Sequence, residues 1–163
     1  MIPVNKPTEG SLLERIGGVG TIRRVVDIFY DSMMEDEKLK PLFEGIKMSA
    51  LKVHQLRFFR LAFSGVLPDD IMDTILDRHQ PLFEKGLSEE HFDVVMTHLD
   101  ESLTKIKMKE ELRNETVAVV SPLRAAFAEG ARIAAGGVPN PEFRSAKKEK
   151  KITVRRQKNP TAA

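Results

Sequence analysis

The stretch Met48-Ser49-Ala50-Leu51-Lys52-Val53-His54-Gln55-Leu56-Arg57-Phe58-Phe59-Arg60-Leu61-Ala62-Phe63-Ser64-Gly65 decides how the rest of the chain is read. It predicts a helix that Ser49 can cap and that runs to about Ser64-Gly65. Advancing about 100° per residue from Leu51 at 0°, Phe58 falls near −20°, Ala62 near +20° and Phe59 near +80°. On the same wheel His54 lands near −60° and Gln55 near +40°, inside or beside the apolar stripe. Polar groups are costly to bury unless paired. The plain reading is a border histidine with its polar edge in water and a partly exposed amide. The other reading gives an apolar slot two hydrogen-bonding tips.

Outward from this segment the chain reads as helix after helix. Ser11 followed by Glu14 is a capping-box pattern opening a short helix, Leu12 to Ile16, which Gly17, Gly18 and Gly20 are expected to break. From about Thr21 to Met34, Ile22, Val25, Val26, Phe29 and Met33 form a helical stripe, with Arg23, Asp27 and Asp31 opposite. Pro41 and Gly45 bracket a connector carrying Leu42 and Phe43. Asp69 and Asp70 open a helix that Pro81 is expected to end just after His79-Gln80. Ser88-Glu89-Glu90 starts a long helix with Phe92, Val95, Met96, Leu99, Leu103 and Ile106 at helical spacing. A last one, about Lys109 to Glu129, is expected to bury Leu112, Val119, Val120 and Leu123. No stretch alternates with period two, so the expected class is all-α.

Composition removes most other chemistries. The 163 residues hold no cysteine, which excludes a disulfide scaffold, a zinc ribbon, thiolate iron–sulfur ligation and a cysteine nucleophile. No phosphate-binding loop, dinucleotide fingerprint or Gly-x-Ser-x-Gly elbow occurs. No transmembrane segment is expected, because no apolar run approaches the roughly 18 residues that one needs. The first residues lack the pattern of a secretory signal, and the expected location is cytoplasmic. The net charge of +2 conceals a division: eight basic and two acidic residues follow Pro141, leaving 18 basic and 22 acidic on the other 141 residues. The expected organisation is an N-terminal extension (1–10), one folded domain (11–130) and a flexible basic tail (131–163). That tail could touch nucleic acid or an anionic membrane. It lacks interleaved aromatics, and a solubilising extension is the preferred reading.

Two more residues carry polar tips on apolar faces. Tyr30, the one tyrosine, lies at the margin of its stripe and could be a core-edge residue with a wet hydroxyl. His79 follows Ile71, Ile75 and Leu76 and reads as projecting from a last helical turn, where a histidine often serves the helix dipole. His91 and His98 flank their stripe and read as structural or solvated. No histidine pair has metalloprotease or zinc-site spacing. Two histidines 25 residues apart, His54 and His79, on separate helices around an aromatic pocket also fit a haem held between imidazoles.

The order of segments resembles the truncated haemoglobins, group I, over roughly Ser11 to Phe127. Leu13-Glu14-Arg15-Ile16-Gly17-Gly18 resembles the family's opening glycine motif, and Asp27-Ile28-Phe29-Tyr30 its phenylalanine–tyrosine pair. Pro41-Leu42-Phe43-Glu44-Gly45 is similar to the segment whose phenylalanine stacks on the haem. Met48 to Gln55 with Phe58-Phe59 resembles the distal helix, and Arg78-His79-Gln80-Pro81-Leu82 the segment of the proximal histidine. Leu87 to Phe92 and Val119-Val120-Ser121-Pro122-Leu123 resemble the last two helices.

The resemblance implies a two-over-two helical sandwich around haem b. It assigns His79 as proximal iron ligand, Tyr30 and Gln55 as distal hydrogen-bond donors, Phe43 as the stacking ring, Leu51 and Phe58 as walls, and Phe92 and Val95 as floor. His54 matches the position at which cyanobacterial members carry a second iron-ligating histidine; the alternative is that it points to a propionate or to solvent. The haem is expected to be non-covalent, because no histidine follows His98. The absence of tryptophan argues against the group II branch, and the segment Ser64 to Asp70 is short with a reduced second glycine pair. The implied ligands are O₂, NO and CO. The implied activity is nitric oxide dioxygenation or related redox detoxification by a monomer served by a reductase; the alternative is O₂ storage, delivery or sensing.

Overall fold

A computed structural model describes residues 10–143. They form two compact units, 10–67 with 90–124 and 68–89 with 125–143. Seven α-helices occur among the described residues, with no strand: α1 Leu12–Ile16, α2 Gly18–Met34, α3 Met48–Phe63, α4 Ile71–Glu84, α5 Glu89–Lys105, α6 Glu110–Val120 and α7 Arg124–Ala134. None is long and apolar enough to cross a membrane.

In the first unit, the Ser11 side chain accepts from the Glu14 N–H at 3.2 Å and the Glu14 carboxylate accepts from the Ser11 N–H at 3.1 Å. This is the expected capping box of α1. Gly17 then turns the chain at φ 115°, where an L-residue is strained and where an added Cβ would run into the Thr21 side chain. Gly18 follows at φ 82°, again in the left-handed region, and shares the break with Gly17; Gly20 is not a breaker and lies inside α2, which starts at Gly18. The stripe expected on α2 is its buried face, with Ile22, Val25, Val26, Phe29 and Met33 all within the core. That face lies against α3, while α1 packs on α2 and α3, and α6 on α3. Arg15 of α1 holds Glu115 of α6 through two hydrogen bonds of 2.9 and 2.6 Å.

Ser49 is not the cap of α3. The helix begins two residues earlier, at Met48, with Lys47 at the cap position and no side-chain bond there. The single expected C-terminal helix is interrupted at Ser121-Pro122-Leu123, a short 3₁₀ turn in which Pro122 has no N–H to continue the ladder. Two hydroxyls buried in this unit, Ser102 and Thr116, donate to the carbonyls of His98 and Leu112 one turn back, each at 2.8 Å. Burying them therefore leaves no unmet donor.

In the second unit, α4 does not stop before Pro81. It continues to Glu84, with Pro81 exposed and Phe83 buried beyond it. The apolar anchorage of Phe83 outweighs the one ladder bond that a proline cannot make. α7 carries the chain to Ala134, and the segment after it is tied back. Arg132 bonds the Glu129 carboxylate and donates to the Val138 carbonyl at 2.8 Å, while the Asn140 N–H donates to Glu129 at 3.0 Å. The expected tail thus begins inside α7. Its Lys/Arg run, from Arg144 onward, and residues 1–9 of the expected N-terminal extension lie outside the described residues.

Candidate functional site

The polar centre of the first unit is a hydrogen bond between α2 and α3. The Tyr30 hydroxyl donates to Gln55 Oε1 at 3.0 Å, and the tyrosine is 5% exposed. Burial pushes the phenol well above its ordinary pKa, so it stays an O–H donor at any physiological pH. Because Oε1 takes the tyrosine proton, the Gln55 amide nitrogen keeps two N–H donors for other acceptors.

Aromatic rings frame this pair. Tyr30 meets Phe29 edge-on at 5.3 Å and Phe43 edge-on at 6.0 Å. Phe59 stacks on Phe63 at 5.2 Å and tilts against Phe29 and Phe58. Phe43 is placed by the 3₁₀ turn Lys40–Phe43, which Pro41 pre-sets. The structure therefore brings Tyr30, Gln55 and Phe43 together. Leu51 and Phe58 are half-buried on α3; Phe92 is buried and Val95 half-buried on α5. His54 is exposed on α3 and takes no part in the Tyr30–Gln55 bond.

The second unit holds His79. It does not project from a last turn, since α4 continues past it, so the helix-dipole reading falls. Its Nδ1 lies 2.8 Å from the carbonyl oxygen of Ile75 one turn back. A carbonyl can only accept, so the ring proton sits on Nδ1 and Nε2 carries a lone pair. Burial lowers the imidazole pKa, which the Ile75 bond partly restores and the Arg78 charge lowers again; the neutral form prevails near neutral pH. The Phe127 ring stands edge-on to it at 5.2 Å and Phe83 lies at 6.3 Å.

Sequence reasoning missed this ring box. Phe83 and Phe127 come from separate helices, and Gly130 of α7 carried no signal beyond its helix-weakening type. It read His98 as structural or solvated without its partner: the His98 Nε2 donates to Asp36 Oδ2 at 2.7 Å. Those two residues are 62 positions apart, so no local pattern links them. The His98 bond holds the Asp36 carboxyl below its ordinary pKa, helped by the Lys38 N–H.

The profile of the bacterial-like globin family matches residues 11–129. A group 1 truncated hemoglobin, GlbN, of Mycolicibacterium paratuberculosis is 32% identical over 125 residues, covering 77% of this chain and 89% of the relative. The chain belongs to the group I truncated haemoglobins. The GlbN of Synechocystis sp. is 33% identical over 112 residues, covering 67% of this truncated haemoglobin and 88% of its own length. Two crystal structures superpose with a TM-score of 0.64. Chlamydomonas reinhardtii THB4 is 33% identical and covers 72% of this chain and 94% of its own. The 2/2 hemoglobin from Synechococcus sp., in the cyanomet state with covalently attached heme, is 28% identical and covers 72% and 98%. The all-α, two-over-two truncated-globin fold expected from the sequence is the fold of this protein. Membership implies haem and diatomic gas ligands.

Proposed function

We propose that this truncated globin binds haem b non-covalently through His79 and presents Tyr30 and Gln55 to a diatomic ligand. The observation that carries the reading is the state of His79: neutral, its proton committed to the Ile75 carbonyl, its Nε2 lone pair available. One imidazole supplies one ligand, so the metal must bring the rest of its coordination with it, as a macrocycle does. Among the described residues no group of three or more His, Cys, Asp or Glu could hold a bare ion. The donor set therefore suits haem better than a protein-caged metal.

When bound, haem supplies reversible gas binding and one-electron redox chemistry. The chain supplies the rest. Tyr30, kept protonated by burial, and the Gln55 amide hydrogen-bond the partial negative charge that a polar diatomic ligand carries. Phe43, Leu51, Phe58, Phe92 and Val95 exclude water around them. The finer proposal for turnover is NO + O₂ + e⁻ → NO₃⁻, the electron coming from a separate reductase. His54 is proposed as a second axial ligand in the absence of gas. Its support is its helical spacing from Leu51 and Phe58 on α3.

The test begins with absorption spectra of the purified chain, ferric and then ferrous with CO. A Soret band lost in His79→Ala is expected; the same band in that variant overturns the ligand assignment. A low-spin ferric spectrum that becomes high-spin in His54→Leu is expected; a high-spin spectrum unchanged by the substitution removes His54 from the iron. NO consumption with nitrate as product supports turnover. Reversible O₂ binding without it leaves storage, delivery or sensing.

A further inference from the structure

Behind His79 lies an arrangement that this reading of the haem site does not use. Gly130 sits in the middle of α7 and is buried. It has ordinary helical geometry, so its backbone does not require glycine. Its neighbour does: a Cβ built at Gly130 would fall onto the Phe83 ring, against Cδ2, Cε2 and Cζ. The ring cannot simply swing away. Phe83 is 5% exposed, and the Phe127 ring meets it edge-on at 6.0 Å. The His79 imidazole lies against both rings, at 6.3 Å from Phe83 and 5.2 Å from Phe127.

The Ile75 carbonyl holds Nδ1 of His79 at hydrogen-bond distance, but one hydrogen bond is soft and leaves play in the two side-chain torsions that set the ring plane. The imidazole can still rock about that contact until other groups stop it. Phe127 and Phe83 are those stops, and Phe83 occupies its place only because Gly130 lacks a side chain. Among the described residues, Gly130 is the one glycine whose missing Cβ admits an aromatic ring.

We infer that Gly130 is a positioning residue: by admitting Phe83 beside Phe127 it sets the plane of the His79 imidazole, and through it the strength of the axial bond to iron. The inference rests on the reading of His79 as the axial ligand. It deepens that reading by naming what regulates the ligand from α7. A helix that moved along its axis, or a larger residue at 130, would reach the iron through two rings and no backbone change in α4.

The test is resonance Raman spectroscopy of the ferrous, ligand-free holoprotein, read at the iron–histidine stretching band, together with haem transfer to an acceptor apoglobin. Gly130→Ala is expected to shift that band and to release haem about tenfold faster. Gly130 acts only through Phe83, so the two substitutions must be non-additive. Phe83→Leu should shift the band by itself, and adding Gly130→Ala should then change nothing further. A role in packing alone predicts lower melting temperature with the band in place. An unshifted band in haem-loaded Gly130→Ala overturns the inference, as does an equal further shift in the Phe83→Leu background. If Gly130→Ala does not fold, Phe83→Leu decides: an unmoved band overturns the inference. A wild-type chain without a Soret band, or His79→Ala with an unchanged band, instead refutes the haem reading on which it rests.

Discussion

Removing one oxygen from Tyr30 separates what this residue does for the fold from what it does for a ligand. In Tyr30→Phe the ring keeps its edge-on contacts with Phe29 and Phe43, so no cavity is opened. The change is confined to the 3.0 Å bond to Gln55, whose Oε1 loses its donor. Gln55 is half-buried and can turn its amide toward water or the site, so the fold should lose about 1 kcal/mol. The effect on a gas ligand differs. Tyr30 has one proton, and the Gln55 amide nitrogen has two. With a ligand present the tyrosine can donate to it while the turned Gln55 amide donates to the tyrosine oxygen. Losing the hydroxyl removes one such bond, worth about 1–2 kcal/mol, or roughly 5- to 30-fold in O₂ release. CO carries little negative charge and should leave at nearly the wild-type rate. The assay is ligand displacement in stopped flow for both gases, with urea unfolding alongside. A Tyr30→Phe protein that binds haem and holds O₂ as long as wild type refutes the assignment. So does an equal acceleration of O₂ and CO release, because that signals a pocket opened to water rather than a lost donor.

Three further perturbations follow from the geometry. Gly17→Ala places a side chain at φ 115° and against Thr21, and should lower stability by about 1–2 kcal/mol in denaturant unfolding. Pro81→Ala restores an N–H inside α4 on an exposed position and should raise the melting temperature, the lost loop rigidity of the unfolded chain offsetting part of the gain; a lower one would show that the proline shapes α4 usefully. Asp36 is held below its ordinary pKa of 3.8 by His98 and the Lys38 N–H, so its contribution to stability is present above that value and is lost as pH falls through the lowered one. Asp36→Asn should therefore flatten the acid limb of a urea-midpoint profile, and an unchanged limb would assign acid unfolding to other carboxylates.

Periodicity made the first unit legible. The stripe Ile22, Val25, Val26, Phe29 and Met33 is buried as expected, and the Ser11–Glu14 cap forms, because both depend on residues one turn apart. Breakers were less legible. Gly20 and Pro81 were read by type, but a glycine tolerated in a helix looks like one that ends it, and a proline passed by a well-anchored helix looks like a stop. At the site, Tyr30 and Gln55 were visible as polar tips on apolar faces. Their pairing needed α2 and α3 packed together. The ring box around His79 draws Phe83 from α4 and Phe127 from α7, and the Asp36–His98 bond spans 62 positions. The His79–Phe127 and Asp36–His98 contacts leave no trace in local spacing, whereas Phe83 stands one turn from His79 and was hidden by the helix end expected at Pro81.

Tyr30, Gln55 and His79 share one physical device. Each commits one valence to a neighbour within its own unit and thereby fixes which valence is left. The Tyr30 proton on Gln55 Oε1 leaves the two amide N–H groups for other acceptors. The Nδ1 proton of His79 on the Ile75 carbonyl fixes the tautomer, so that Nε2 is the atom that accepts. Neither outcome follows from residue type, since a glutamine can turn over and a histidine can carry its proton on either nitrogen. The amide nitrogen of Gln55 is left as a donor by its bond to Tyr30, and Nε2 of His79 is left as an acceptor by its bond to Ile75. This ordering also separates two kinds of substitution at Gln55. Gln55→Glu keeps the acceptor for Tyr30 but deletes both amide donors and adds a negative charge. The Tyr30–residue 55 bond should survive while O₂ is released faster, which assigns part of the donation to the ligand to the amide rather than to the tyrosine alone.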